Sequence, residues 1–121
     1  MAYKYINEKE ISELLFNEPE HVIEFCEAGV ISFTEFRDNF SRYLLSRNLE
    51  GLRKAGHKIR PGAQLMGADI IIDKYERARD KLDAGEASDE YLRKSAKQMN
   101  KLCSTVIGEL QDLAKRLTEQ V

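Results

Sequence analysis

The last third of the chain constrains the fold more than any other segment. Leu92, Met99, Leu102, Val106, Leu110, Leu113 and Leu117 recur at steps of three, four or seven residues. That spacing draws one apolar seam along a helix of roughly two to three dozen residues. A helix of that length with a single apolar face must lie along something, because most helical stability in water comes from packing that face. The preceding chain supplies the partners. It has only two prolines, few turn clusters, and little strict alternation of apolar and polar residues, so it too reads as helical. The expected fold is all-α: an antiparallel four-helix bundle over residues 31–119, with additional short helices in residues 1–30. One domain spans residues 1–121, since this length suits one core rather than two.

The punctuation between helices is specific. Asn7 is a good cap for a first helix carrying Ile11, Leu14 and Leu15. Pro19 suits the first turn of a second short helix, with Glu18 and Glu20 favouring that end. Gly29 is expected to close it. A third helix then carries Phe33, Phe36, Phe40, Tyr43 and Leu44 on one stripe, which reads as core. Ser46-Arg47-Asn48 forms a turn, and Asn48 caps the next helix. Gly67 interrupts that helix, and another follows from about Ala68 to Leu82. Asp83 to Ser88 makes a hairpin connection before the long final helix, whose start is favoured by Asp89 and Glu90.

Composition bounds the function classes. A net charge of −2 announces neither nucleic-acid binding nor attraction to a membrane surface. No window approaches a membrane-spanning length, and MAYKYINEKE has no apolar signal core. The expected location is therefore the cytoplasm. Cys26 and Cys103 are too few and too far apart for a metal knuckle or a disulfide framework, and read as buried thiols. His21 lacks a second histidine four residues on and reads as a surface residue. Carboxylate pairs such as Asp80 with Asp83, or Asp89 with Glu90, sit on solvated faces and receive no acid–base role. No metal or cofactor site is expected in the chain.

The segment from Asn48 to Met66 carries the chemistry. Leu49, Leu52, Gly56, Ile59, Ala63 and Met66 step by three and four along its apolar face. His57 turns about 100° away from that stripe, towards the solvent boundary. Arg53, Lys54 and Arg60 stand one turn from it and Lys58 beside it, forming a basic collar. A neutral imidazole is a good nucleophile near physiological pH. Nearby cations favour its neutral form, and they stabilise arriving phosphate through charge-assisted hydrogen bonds. Gly56, Gly62 and Ala63 leave the backbone uncovered for close approach. Neither GxxxxGK[ST] nor GxGxxG is present, so a phosphoryl group has to come from another protein. Periodicity alone gives exposure and charge; an ordinary surface histidine has the same pattern.

The run His57-Lys58-Ile59-Arg60-Pro61-Gly62-Ala63-Gln64-Leu65-Met66-Gly67-Ala68 resembles the signature of histidine-containing phosphotransfer (HPt) domains. In that family a helical histidine is followed by an aliphatic residue at +2, a basic residue at +3, small residues at +4 to +6, and glycine at +10. Ile59, Arg60, Gly62, Ala63 and Gly67 occupy the matching positions. The resemblance covers about residues 36 to 85; the final helix fits in length and position without a specific motif. It implies an HPt-type bundle acting as a phosphorelay intermediate without kinase activity of its own. His57 would accept phosphate from a receiver-domain aspartate and pass it to another. Arg60 would stand where the family usually has a phosphate-supporting lysine, helped by Lys58, Arg53 and Lys54. Gly62 and Ala63 would give the receiver clearance. Magnesium would belong to the receiver only. The implied partners are response-regulator receiver domains, a hybrid sensor histidine kinase, or both, with the chain itself monomeric and binding neither nucleic acid nor membrane.

Two positions depart from the family pattern. Gly56 stands where alanine is usual, and Pro61 where glycine is usual. Proline cannot donate to the carbonyl of His57, and its ring crowds that carbonyl, so a kink or loosened turn is expected there. The alternative function is a degenerate HPt-like module that docks receiver or kinase domains without being phosphorylated. A third reading is a self-associating bundle with the aromatic stripe as its interface.

Overall fold

Asn7 begins the first helix as a cap should: its side-chain carbonyl accepts from the Glu10 amide at 3.1 Å. In this computed structural model, which describes residues 3–120, five helices follow in order. They are α1 (Glu8–Leu14), α2 (Pro19–Leu45), α3 (Leu49–Leu65), α4 (Asp69–Asp83) and α5 (Asp89–Gln120). Pro19 occupies the first turn of α2, and Asn48 caps α3 by accepting from the Gly51 amide at 2.9 Å. Gly67, at φ +78°, makes the left-handed turn between α3 and α4. Ser88 accepts from the Tyr91 amide at the start of α5.

Four of these helices form a bundle. α2 packs along α5 and against α3, α3 against α4, and α4 back against α5. The alternation of direction is visible in the turns. At one end Arg47, between α2 and α3, donates to the Ala87 carbonyl, between α4 and α5, at 2.9 Å and to Asp89, the first residue of α5, at 2.8 Å. The opposite end holds the α3–α4 turn and the N-terminal segment. There the Asn7 amide donates to the Met66 carbonyl at 2.8 Å. Glu109 on α5 accepts from the amides of Lys4, Tyr5 and Ile6 at 2.7, 3.0 and 3.1 Å. Three otherwise unpaired backbone donors are thus held by one carboxylate, and charge-assisted bonds are the strong ones.

Gly29 does not end a helix. α2 continues through it for 27 residues, and the division expected at residue 30 falls in the middle of a bundle helix. Val22, Cys26, Gly29, Phe33, Phe36, Phe40 and Leu44 are all buried on one face, so the apolar spacing never breaks across the glycine. Its role is proximity: a side chain at residue 29 would approach Leu110 Cδ1 to 2.9 Å. The aromatic stripe lies inside the bundle. Phe33, Phe36 and Phe40 are buried, and Phe36 meets Phe40 and Tyr75 at centroid distances of 5.7 and 6.3 Å. Burial of each such ring contributes about 1.5–3 kcal/mol, and it removes the stripe as an interface between copies. Leu92, Met99, Val106, Leu110 and Leu113 bury the α5 seam, with Leu102 and Leu117 half-buried at its edges.

Candidate functional site

His57 stands near the middle of α3 and is exposed. The residues beneath it explain why it is held outward. Gly56, Ala55 and Ile59 are buried on the opposite side of the helix. A side chain at Gly56 would overlap the ring and hydroxyl of Tyr75 on α4. The α3–α4 crossing is therefore close directly behind the histidine, and the glycine there is required by Tyr75.

The basic collar is present, but each of its cations is already committed. Lys58 pairs with Glu35 on α2 at 2.6 Å, and Arg60 pairs with Glu76 on α4 at 2.7 Å. Arg53 reaches Asp83 at the end of α4 at 3.3 Å, and Lys54 pairs with Glu50 one turn earlier at 3.4 Å. The expected surplus of positive charge around His57 is thus matched by carboxylates from three helices. The pairs differ in exposure. Lys54 and Glu50 are 78% and 83% exposed, whereas Arg60 and Glu76 are 35% and 38%. Pairs at the exposed end of that range are worth little; the Arg60–Glu76 pair is the most sheltered of the four.

The small residues separate into two groups. Gly62 faces open space, with nothing within 4 Å of where a side chain would stand. Ala63 is fully buried in the core, so it offers no clearance to a docking partner, correcting the expectation drawn from the resemblance. Its place in the helix periodicity, on the Ile59 and Met66 face, is the physical reason.

Pro61 does not end the helix. α3 runs as an unbroken α-helix from Leu49 to Leu65 with Pro61 inside it. The proline ring is exposed on the same side as His57. The missing amide leaves the His57 carbonyl without its usual helical donor, yet the helix does not end there.

Sequence reasoning missed an apolar ledge that begins at Pro61, one turn beyond the histidine. Leu14 on α1 and Leu65 at the end of α3 are 53% and 46% exposed. With Glu10, Glu13, Pro61 and Gln64 they line one open groove. On the other flank, Phe25, Ala28 and Ser32 of α2 face Lys58 and Gly62 across a shallow crevice. The only signal for the ledge was a leucine at each helix end, where apolar periodicity overshoots the core.

His21 is exposed in the first turns of α2, and Cys26 and Cys103 are buried free thiols. Burial, helped by Glu27 and Glu8, pushes the Cys26 thiol up to about 11. Burial pushes Cys103 up to about 12, opposed by Arg37. Among the described residues, no group of three His, Cys, Asp or Glu side chains is placed to hold a metal ion. None of the described helices is long and apolar enough to cross a membrane. No family model matches this chain, and no match was found among curated proteins or solved structures.

Proposed function

We propose that this chain is a phosphorelay intermediate of the HPt type, with His57 as the phosphoryl acceptor. The observation that carries the reading is the exposed imidazole in the middle of α3, one turn from Arg60 and five residues before the open backbone at Gly62. In this mechanism a ring nitrogen of His57 attacks the phosphorus of a receiver's aspartyl phosphate in line. The acyl–phosphate P–O bond breaks, and the aspartate leaves as a carboxylate with the bonding electrons. Attack by a second receiver aspartate reverses the step and discharges the histidine. Catalysis of this kind rests on positioning and electrostatics, and the receiver's magnesium and cations supply most of the latter. The chain's own part is to hold the ring outward on a rigid helix and to admit a partner over Gly62, between the Leu14–Leu65 ledge and the α2–α3 crevice. A cytoplasmic monomer fits this role.

A second reading is favoured by one observation: all four collar cations are paired with carboxylates. Such a surface suits a module that docks receiver or kinase domains and is not phosphorylated. Transfer from a panel of phosphorylated receiver domains to wild type and to His57→Gln separates the two. Acid-labile, base-stable label on the wild type alone supports the relay. Receiver binding that survives His57→Ala, with no label on the folded wild type, selects the docking module.

A further inference from the structure

The cations that surround His57 are each paired with a carboxylate, and the most sheltered of these pairs holds Arg60. Arg60 follows His57 by three residues, a spacing that sets side chains side by side on one helix face. Its guanidinium is turned to Glu76 of α4, with Nη2 2.7 Å from the carboxylate. Lys58, by contrast, leans the other way to α2 and is 71% exposed. Glu76 thus decides where the planar fork of Arg60 points, and a guanidinium fork binds phosphate as readily as it binds carboxylate.

We infer that Glu76 is a positioning residue that competes with a phosphoryl group on His57 for Arg60. The inference rests on His57 being the acceptor. In the resting protein Arg60 is held against α4. When a phosphoryl group is bonded to the imidazole, Arg60 exchanges one anionic partner for another. Glu76 is left without its cation, and this opposes retention of the phosphoryl group. The pair therefore keeps the phosphorylated state shallow, which suits a carrier that must release what it accepts. The carboxylate acts through Arg60 and touches no reacting atom.

Phosphoramidate provides a test that needs no receiver. A ring nitrogen of His57 attacks its phosphorus, the P–N bond breaks, ammonia leaves, and the phosphoryl group is then on the histidine. The measurements are the steady-state extent of labelling and the rate of label loss after the donor is removed. They are made on wild type, Glu76→Gln, Arg60→Ala and the double variant, each shown to be folded by its melting curve. A partly exposed ion pair predicts slower loss by about two- to fivefold in Glu76→Gln. In the Arg60→Ala background the same substitution should change nothing. An unchanged rate in Glu76→Gln overturns the inference. So does an equal effect in both backgrounds, which would mean that Glu76 acts by its charge alone. Absence of label at His57 in every variant overturns the inference together with the acceptor assignment. Labelling by phosphoramidate without transfer from any receiver would defeat the relay reading while leaving the role of Glu76 to be judged by the rates.

Discussion

Tyr75 occupies the space that a side chain at Gly56 would need. Its ring and hydroxyl overlap the position of any Cβ built there, and the tyrosine is itself buried edge-on against Phe36. Two facts about the sequence become one: the glycine before the histidine departs from the HPt pattern because a tyrosine lies under it. Alanine at residue 56 gains up to about 1 kcal/mol of helix propensity, but overpacking a close-packed site costs about 1–3 kcal/mol. The clash is with a wedged ring, not with a flexible side-chain tip, so the larger figure applies. Gly56→Ala should lower the unfolding free energy from urea melts by about 1–2 kcal/mol, and Tyr75→Leu should remove most of that penalty in the double variant. A neutral Gly56→Ala would show that α3 and α4 separate easily.

Gly62 and Gly108 both lie within helices, and nothing stands within 4 Å of either missing side chain. Replacing a helical glycine by alanine under such conditions stabilises by about 0.5–1 kcal/mol. Both Gly62→Ala and Gly108→Ala should therefore raise the melting temperature. Only the first adds a methyl group to α3, on the face that borders the α2–α3 crevice beside Lys58. If that face meets a receiver, Gly62→Ala slows transfer while Gly108→Ala does not. Equal transfer by the two variants would remove Gly62 from the docking surface.

The buried thiols give the fold a limit at alkaline pH. Burial raises Cys26 to about 11 and Cys103 to about 12, whereas in the unfolded chain both ionise near the ordinary thiol value of about 8.5. A raised thiol pKa means the native state binds more protons than the unfolded state once pH passes that value. Stability is then unaffected below about pH 8 and falls as pH rises from about 9 towards 11. The slope should approach about 1.4 kcal/mol per pH unit for each thiol. Denaturant melts across this range should show the decline in wild type and a shallower one in the Cys26→Ala, Cys103→Ala double variant. Parallel curves would mean that other groups set the alkaline limit.

The helix boundaries at Asn7, Pro19, Asn48 and Gly67 were legible because each depends on a single residue's backbone chemistry. Gly29 misled for the same reason: a helix stop and a helix crossing both use glycine. Only the unbroken spacing from Val22 to Leu44 distinguishes them. The exposure of His57 followed from periodicity, but the state of its collar did not, since Glu35 and Glu76 belong to other helices. A signal existed. In an antiparallel hairpin, residues about equally far from the turn face each other. Lys58 and Glu35 lie at similar distances either side of Arg47, as do Arg60 and Glu76 either side of Gly67. Reflection about the turns would have found both pairs, given the turns. The burial of Ala63 was likewise legible from its spacing to Ile59, and was obscured by reading all small residues near the histidine as clearance.

Pro61 sits inside α3, which continues past it to Leu65, so the chain carries the cost of an interior proline. The His57 carbonyl has lost its helical donor, and an interior proline is about 3 kcal/mol less favourable than alanine. Packing against α2 and α4 holds the helix together on either side, through Ile59 and Ala63. Pro61→Ala restores the amide and frees the carbonyl of the ring. The position is exposed, so nothing in the core has to move. Stability should rise by about 1–3 kcal/mol in urea melts, and the amide at residue 61 should be protected in hydrogen exchange to the level of its neighbours. An unchanged midpoint with an unprotected amide would mean that α3 stays open at this turn whatever residue stands there. Pro61 would then be a consequence of the local geometry beside His57, not its cause.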